Sequence, residues 1–87
     1  RANEMKGKRQ DLVNGIHALE LGEYGKDEEG MWWAHVPAAG FSMARISLHD
    51  VVEHEDGTIT VSPSILMDRG NGQQWHGYLE RGIWREV

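Results

Sequence analysis

The sequence predicts an all-β fold: a small single-domain sandwich or rolled antiparallel sheet, with a C-terminal hairpin and an irregular N-terminal lead. Three observations carry this. Ile59 and Val61 alternate with Thr58, Thr60 and Ser62, which gives a strand one apolar and one wet face. Asp56-Gly57 stands between apolar runs and suits a tight turn that needs positive φ. Glu80-Arg81-Gly82 separates Trp75-His-Gly-Tyr-Leu79 from Ile83-Trp-Arg-Glu-Val87, a second hairpin with Gly where φ must be positive.

Taken in order, residues 1–11 are polar and charged and read as a flexible lead. Residues 12–87 form the single β-rich domain. Leu12, Val13, Ile16 and Leu19 fit a helical stripe, but Gly15 and Gly22 interrupt it, and alternation favours a strand over 16–21. Gly25 to Gly30 is a charged turn. Met31 to Val36 is a strand by aromatic and β-branched content, ended by Pro37 and Gly40. Phe41 to Leu48 alternates, with Ala44, Ile46 and Leu48 on one side and Arg45 and Ser47 on the other. Pro63 cannot donate to a ladder and marks an edge or bend. Asp68 to Gln74 is a loop. The total is about six or seven strands. The core is expected from Trp33, Val36, Ile46, Leu48, Ile59, Val61, Ile65, Leu79 and Ile83.

Eighty-seven residues make one domain with one small core. There is no Cys, so neither a disulfide nor a thiolate metal site is available. Neither a signal-peptide pattern nor an apolar run of about 18 residues occurs. The expected setting is therefore cytoplasmic, with no membrane span. The net charge of −5 is uneven. Within residues 1–10, Arg1, Lys6, Lys8 and Arg9 outweigh Glu4, whereas residues 11–87 set five bases against thirteen acids. An acidic body repels phosphate backbones, which disfavours nucleic acid and suits a basic protein surface.

Candidate chemistry is thin. His17, His35, His49, His54 and His76 lack a recognisable ligand spacing, so no metal and no cofactor is expected. Ser62, Ser64 and His76 hold triad residue types, but a triad is defined by geometry, and no Gly-x-Ser-x-Gly elbow exists. Ser62-Pro63-Ser64 reads as a bend, and no catalytic residue is assigned. Trp32 and Trp33 are neighbours on one strand and point to opposite faces, so both cannot be core. One of them is exposed, or covered by residues 1–24 or a partner. The expected protein-binding set is Trp32 as an aromatic anchor with Asp27, Glu28, Glu29, Glu53, Glu55 and Asp56 as an acidic rim. The alternative is a single-stranded nucleic-acid or nucleotide platform of Trp32, Tyr78, Arg45, Arg81 and Arg85.

Asp56-Gly-Thr-Ile-Thr-Val-Ser-Pro-Ser-Ile65, followed by Trp75-His-Gly-Tyr-Leu79 and Gly82-Ile-Trp84, resembles a family of small phage and prophage proteins of unknown function. The resemblance spans residues 31–87. Many members of that family look like zinc proteins, with Cys at an early turn and just before the His-Gly strand. Here those places read Val36-Pro-Ala-Ala-Gly40 and Gln73-Gln74, so no zinc site carries over. The resemblance implies a non-enzymatic accessory protein. It would bind a host or phage protein and inhibit a host defence or other host factor. A self-associating, homo-oligomeric structural module is the second reading.

Overall fold

A computed structural model describes residues 3–87. Nine strands occur among the described residues: β1 (Glu4–Lys6), β2 (Lys8–Arg9), β3 (Glu23–Lys26), β4 (Trp32–Ala34), β5 (Ala44–Arg45), β6 (Asp50–Glu53), β7 (Ile59–Asp68), β8 (Gln74–Glu80) and β9 (Ile83–Glu86). They form a five-stranded sheet, β1-β9-β8-β7-β6, and a four-stranded sheet, β2-β3-β4-β5. All pairings are antiparallel except β2 with β3. This is the expected all-β class, and no described helix is long and apolar enough to cross a membrane.

Alternation sets the inner faces. Ile59, Val61 and Ile65 of β7, Trp75 and Leu79 of β8, and Trp84 of β9 meet Tyr24, Ala34, Val36 and Ile46 from the other sheet. Trp84 is fully buried. Its ring stands edge-on to Trp75 at 5.6 Å, and its Nε1–H donates to the Gly22 carbonyl at 2.8 Å. The indole thereby buries a large apolar area without leaving its polar atom unpaired.

The lead departs from expectation. Arg1 and Ala2 lie outside the described residues, but β1 pairs with the free edge of β9 and β2 runs beside β3. These strands lack an apolar face, since Glu4, Met5 and Lys6 are all exposed. No alternation announces them, and only the strand edges they cover explain their form. The strand expected over 16–21 is instead loop. Positive φ at Asn14, Gly15 and Gly22 turns the chain, and the strand begins at Glu23. Gly25 and Lys26 belong to β3, leaving Asp27 to Gly30 as the turn.

Phe41 to Leu48 contracts to β5. The His49 N–H closes a turn onto the Ile46 carbonyl at 3.1 Å, and Leu48 is left 98% exposed. Ile83 is also misassigned to the core. It faces Glu80 and Lys6 across the outer side of the sheet, because Trp84 takes the inner side. Trp33 is only half-buried.

Both hairpins form. Around Asp56-Gly57 only Gly57 has positive φ, and the Asp56 carboxylate accepts from the Thr58 N–H and hydroxyl. That is a three-residue loop with glycine in the left-handed position. At the C-terminal hairpin Arg81 and Gly82 both have positive φ, as a type I′ turn requires. Pro63 lies where the β7–β8 register shifts between Val61 and Ile65.

Candidate functional site

Strand β4 divides its aromatic pair. Ala34 faces the core, so Trp32 leans inward and Trp33 and His35 share the outer face of the four-stranded sheet. Residues 10–22 fold over that outer face. The Leu12 N–H donates to the Lys26 carbonyl at 2.8 Å and fastens the segment beside β3. A depression of about 340 Å³ remains between Leu12, Ile16, His17, Trp33, Met43 and the turn Asp27, Glu28, Glu29.

Asp27 organises the acidic side of this pocket. Its carboxylate accepts from the Glu29 and Met31 N–H groups and from the Trp33 Nε1–H, each at 2.9 Å. These donors, with the Trp33 bond foremost, hold its pKa below the usual carboxylate value. Glu28 and Glu29 follow on the turn, and no described residue pairs with their carboxylates through a hydrogen bond or ion pair. The pocket thus combines an apolar and aromatic floor with two unpaired negative charges.

Further along β4, His35 contacts the two flanking segments. Its Nδ1 lies 3.0 Å from the Leu19 carbonyl oxygen and its Nε2 lies 2.7 Å from that of Phe41. Leu19 follows Ile16 and His17 of one wall, and Phe41 precedes Met43 of the other.

The expected anchor, Trp32, is covered from within the chain. The Arg9 guanidinium lies 4.8 Å from its ring centroid and the Lys26 ammonium 5.3 Å away. Both cations reach Glu53, at 2.9 and 3.2 Å. Arg9 also pairs with Asp11 at 2.7 Å and donates to the Gly57 carbonyl at 2.8 Å. The Asp11 bond chiefly raises the Arg9 pKa, and its reciprocal chiefly lowers that of Asp11. Arg9 of the lead and Lys26 of β3 thus lie over Trp32, which stays partly buried.

The expected rim divides into two groups. Asp27, Glu28 and Glu29 border the Trp33 pocket. Glu53, Glu55 and Asp56 border a polar depression of about 440 Å³ with His54 and Arg81. Of this second group, Glu53 is neutralised by Arg9 and Lys26, and Asp56 is occupied by Thr58.

The nucleic-acid set does not assemble into one platform. Tyr78 lies beneath Arg85 at 4.8 Å on the outer face of the five-stranded sheet, and Arg85 is tied to Glu80 at 3.1 Å. Trp32 belongs to the other sheet, Arg45 stands opposite Trp33, and Arg81 sits at a hairpin tip. Ser64 and His76 do meet, at 2.8 Å, on an exposed surface. No group of three His, Cys, Asp or Glu able to hold a metal occurs among the described residues.

Sequence reasoning missed Trp33 and His35 as site residues. Their i, i+2 spacing signals a shared face, but which face remains open after the lead folds is not written locally. No family model, curated protein or solved structure matches the chain.

Proposed function

We propose that this chain acts without catalysis, as a protein-binding module whose Trp33 pocket takes a lysine or arginine side chain from a basic partner surface. The observation that carries this reading is the pairing of an open aromatic pocket with the unpaired carboxylates of Glu28 and Glu29. A long cationic side chain lays its methylene stem on apolar surface and keeps its charge at the polar margin. Leu12, Met43 and the Trp33 ring supply the first, and the turn supplies the second. The molecule already makes one such arrangement internally, with Arg9 and Lys26 on Trp32 beside Glu53. Trp33 is the open counterpart. In the setting that the C-terminal motif implies, the partner is a host factor with a basic face, blocked by occlusion.

The test is an NMR titration with Nα-acetyl-lysine methylamide, its arginine counterpart and its uncharged norleucine counterpart. The cationic compounds are expected to shift the Trp33 Nε1–H and the Glu28 and Glu29 amides in the millimolar range, and less so at high salt. A Glu28→Gln, Glu29→Gln protein should lose the response. Equal shifts from norleucine, or no movement at Trp33, would sink the reading.

A further inference from the structure

Strand β7 outruns its neighbour at the sheet edge. It extends from Ile59 to Asp68, whereas β6 pairs only with Ile59 to Ser62. Beyond Ser62 it is paired on one side alone, with β8. The hydrogen-bond pattern fixes which groups face the other side. The Arg69 N–H donates to the Gln73 carbonyl at 3.0 Å, so Asp68 and Gln74 are a non-hydrogen-bonded pair of the ladder. By alternation Leu66 and His76 are another, and Ile65 and Met67 turn their backbone groups to β8. The N–H and C=O of Leu66, the N–H of Asp68 and the C=O of Ser64 therefore point outward, past the end of β6. No hydrogen bond from a described residue reaches them. The Leu66 side chain is 57% exposed, and a depression of about 300 Å³ between Phe41, Ser42, Met67 and Arg69 borders the same end of the strand. An edge in this state is a template for a further strand.

The outward groups are complementary to themselves. Their donors and acceptors are symmetric about Leu66. An antiparallel copy centred there would receive each Leu66 N–H on the other Leu66 carbonyl, and each Asp68 N–H on the other Ser64 carbonyl. A twofold axis closes such a contact, so it stops at two copies. The charges agree with the same register. Arg69 of one copy falls beside Pro63 of the other, next to Ser62, whose neighbour in β6 is Asp50. The Arg69 guanidinium lies 5.8 Å from the Phe41 ring centroid and donates to Gln73, but pairs with no carboxylate among the described residues. The exposed Asp50 carboxylate has no cation or hydrogen-bond donor among them either.

We propose that the Ser64–Asp68 edge of β7 is a homodimer interface, on which a second copy of this chain pairs antiparallel about Leu66. The two five-stranded sheets become one continuous sheet. Leu66 packs on its counterpart, and Arg69 of each copy meets Asp50 of the other. Leu48, 98% exposed and two residues before Asp50, comes under the 69–73 turn of the second copy. None of these residues lines the Trp33 pocket, so the cation-binding reading and this interface stand or fall separately.

Sedimentation equilibrium over about 10 μM to 1 mM, the range suited to a small interface, should show reversible exchange between monomer and dimer. Amide hydrogen exchange read by NMR locates the contact. The Ile65 and Met67 amides, bonded to β8, should be protected at every concentration, and those of Leu66 and Asp68 only where the dimer forms. Leu66→Lys places like charges opposite each other at an exposed position, and should keep the monomer fold while weakening dimerisation about tenfold. Asp50→Lys should also weaken it, and Asp50→Lys with Arg69→Glu should restore it, a recovery that damage to the fold would not produce. A protein that stays monomeric at the highest concentration overturns the proposal and leaves the edge to a strand of another protein. So does a dimer whose Leu66 and Asp68 amides stay unprotected, one indifferent to Leu66→Lys, or a charge exchange that restores nothing.

Discussion

A methyl group on Gly25 would overlap the Gln10 carbonyl, because the lead crosses β3 at that point. The crossing is held by backbone bonds from Gln10 to Tyr24 and from Leu12 to Lys26, each 2.8 Å, so neither backbone can retreat without loss. Gly25→Ala is expected to cost about 3 kcal/mol, as overpacking a closed contact does. Gly30 makes the opposite case. It has φ of 83° and open space around a would-be Cβ, so Gly30→Ala meets only backbone strain, about 1 kcal/mol. Urea denaturation of the two variants checks this, and equal losses would show that the close approach is not what Gly25 serves.

At the scale of elements, β2 is stabilised by what its arginine reaches. Arg9 joins Asp11 in the lead, Glu53 of β6, the Gly57 carbonyl in the following turn and the face of Trp32 in β4. One side chain thus spans both sheets. Exposed ion pairs alone contribute little, but the carbonyl bond and the packed ring add to them. Arg9→Met is expected to lower stability by about 1 kcal/mol, seen as a lower urea midpoint at unchanged slope. Because Glu53 shares the network, Arg9→Met with Glu53→Gln should cost less than the sum of the single changes. Strict additivity would mean that the cations on Trp32 act independently of Glu53.

For the whole molecule, the carboxylates set the pH dependence. Asp11, Asp27, Glu53, Asp56 and Asp68 all have lowered pKa values in the fold. The leading causes are bonds from Arg9 to Asp11 and Glu53, from Trp33 to Asp27, from Thr58 to Asp56 and from the Gly70 N–H to Asp68. A carboxylate depressed in the folded state contributes stability above its unfolded pKa, about 4, and loses it as pH falls through the folded value. Stability should therefore be level above about pH 5 and fall on acidification below about pH 4. Acidification also relieves the net charge of −5, but that repulsion is diffuse and screened by salt, whereas the five carboxylates hold specific bonds. Urea midpoints across this range test the sign, and Asp27→Asn should flatten part of the acid slope.

The sequence by itself determined the all-β class, both hairpins, the loop before β8 and the core positions Val36, Ile46, Ile59, Val61, Ile65 and Leu79. These are local matters: alternation marks a half-buried strand, and Gly with Asp or Asn marks the turns between strands. Tertiary structure alone decided that the lead is paired, since β1 is exposed throughout and carries no periodic signal. It also decided which tryptophan stays open. Trp32 and Trp33 are equivalent in sequence, but Arg9 arrives from a distant position to join the neighbouring strand's Lys26 over one, and the 10–22 segment leaves a pocket beside the other. His35 shows the same limit: its partners lie sixteen residues before it and six after. Side chains that answer to long-range neighbours acquire their roles only when the two sheets close.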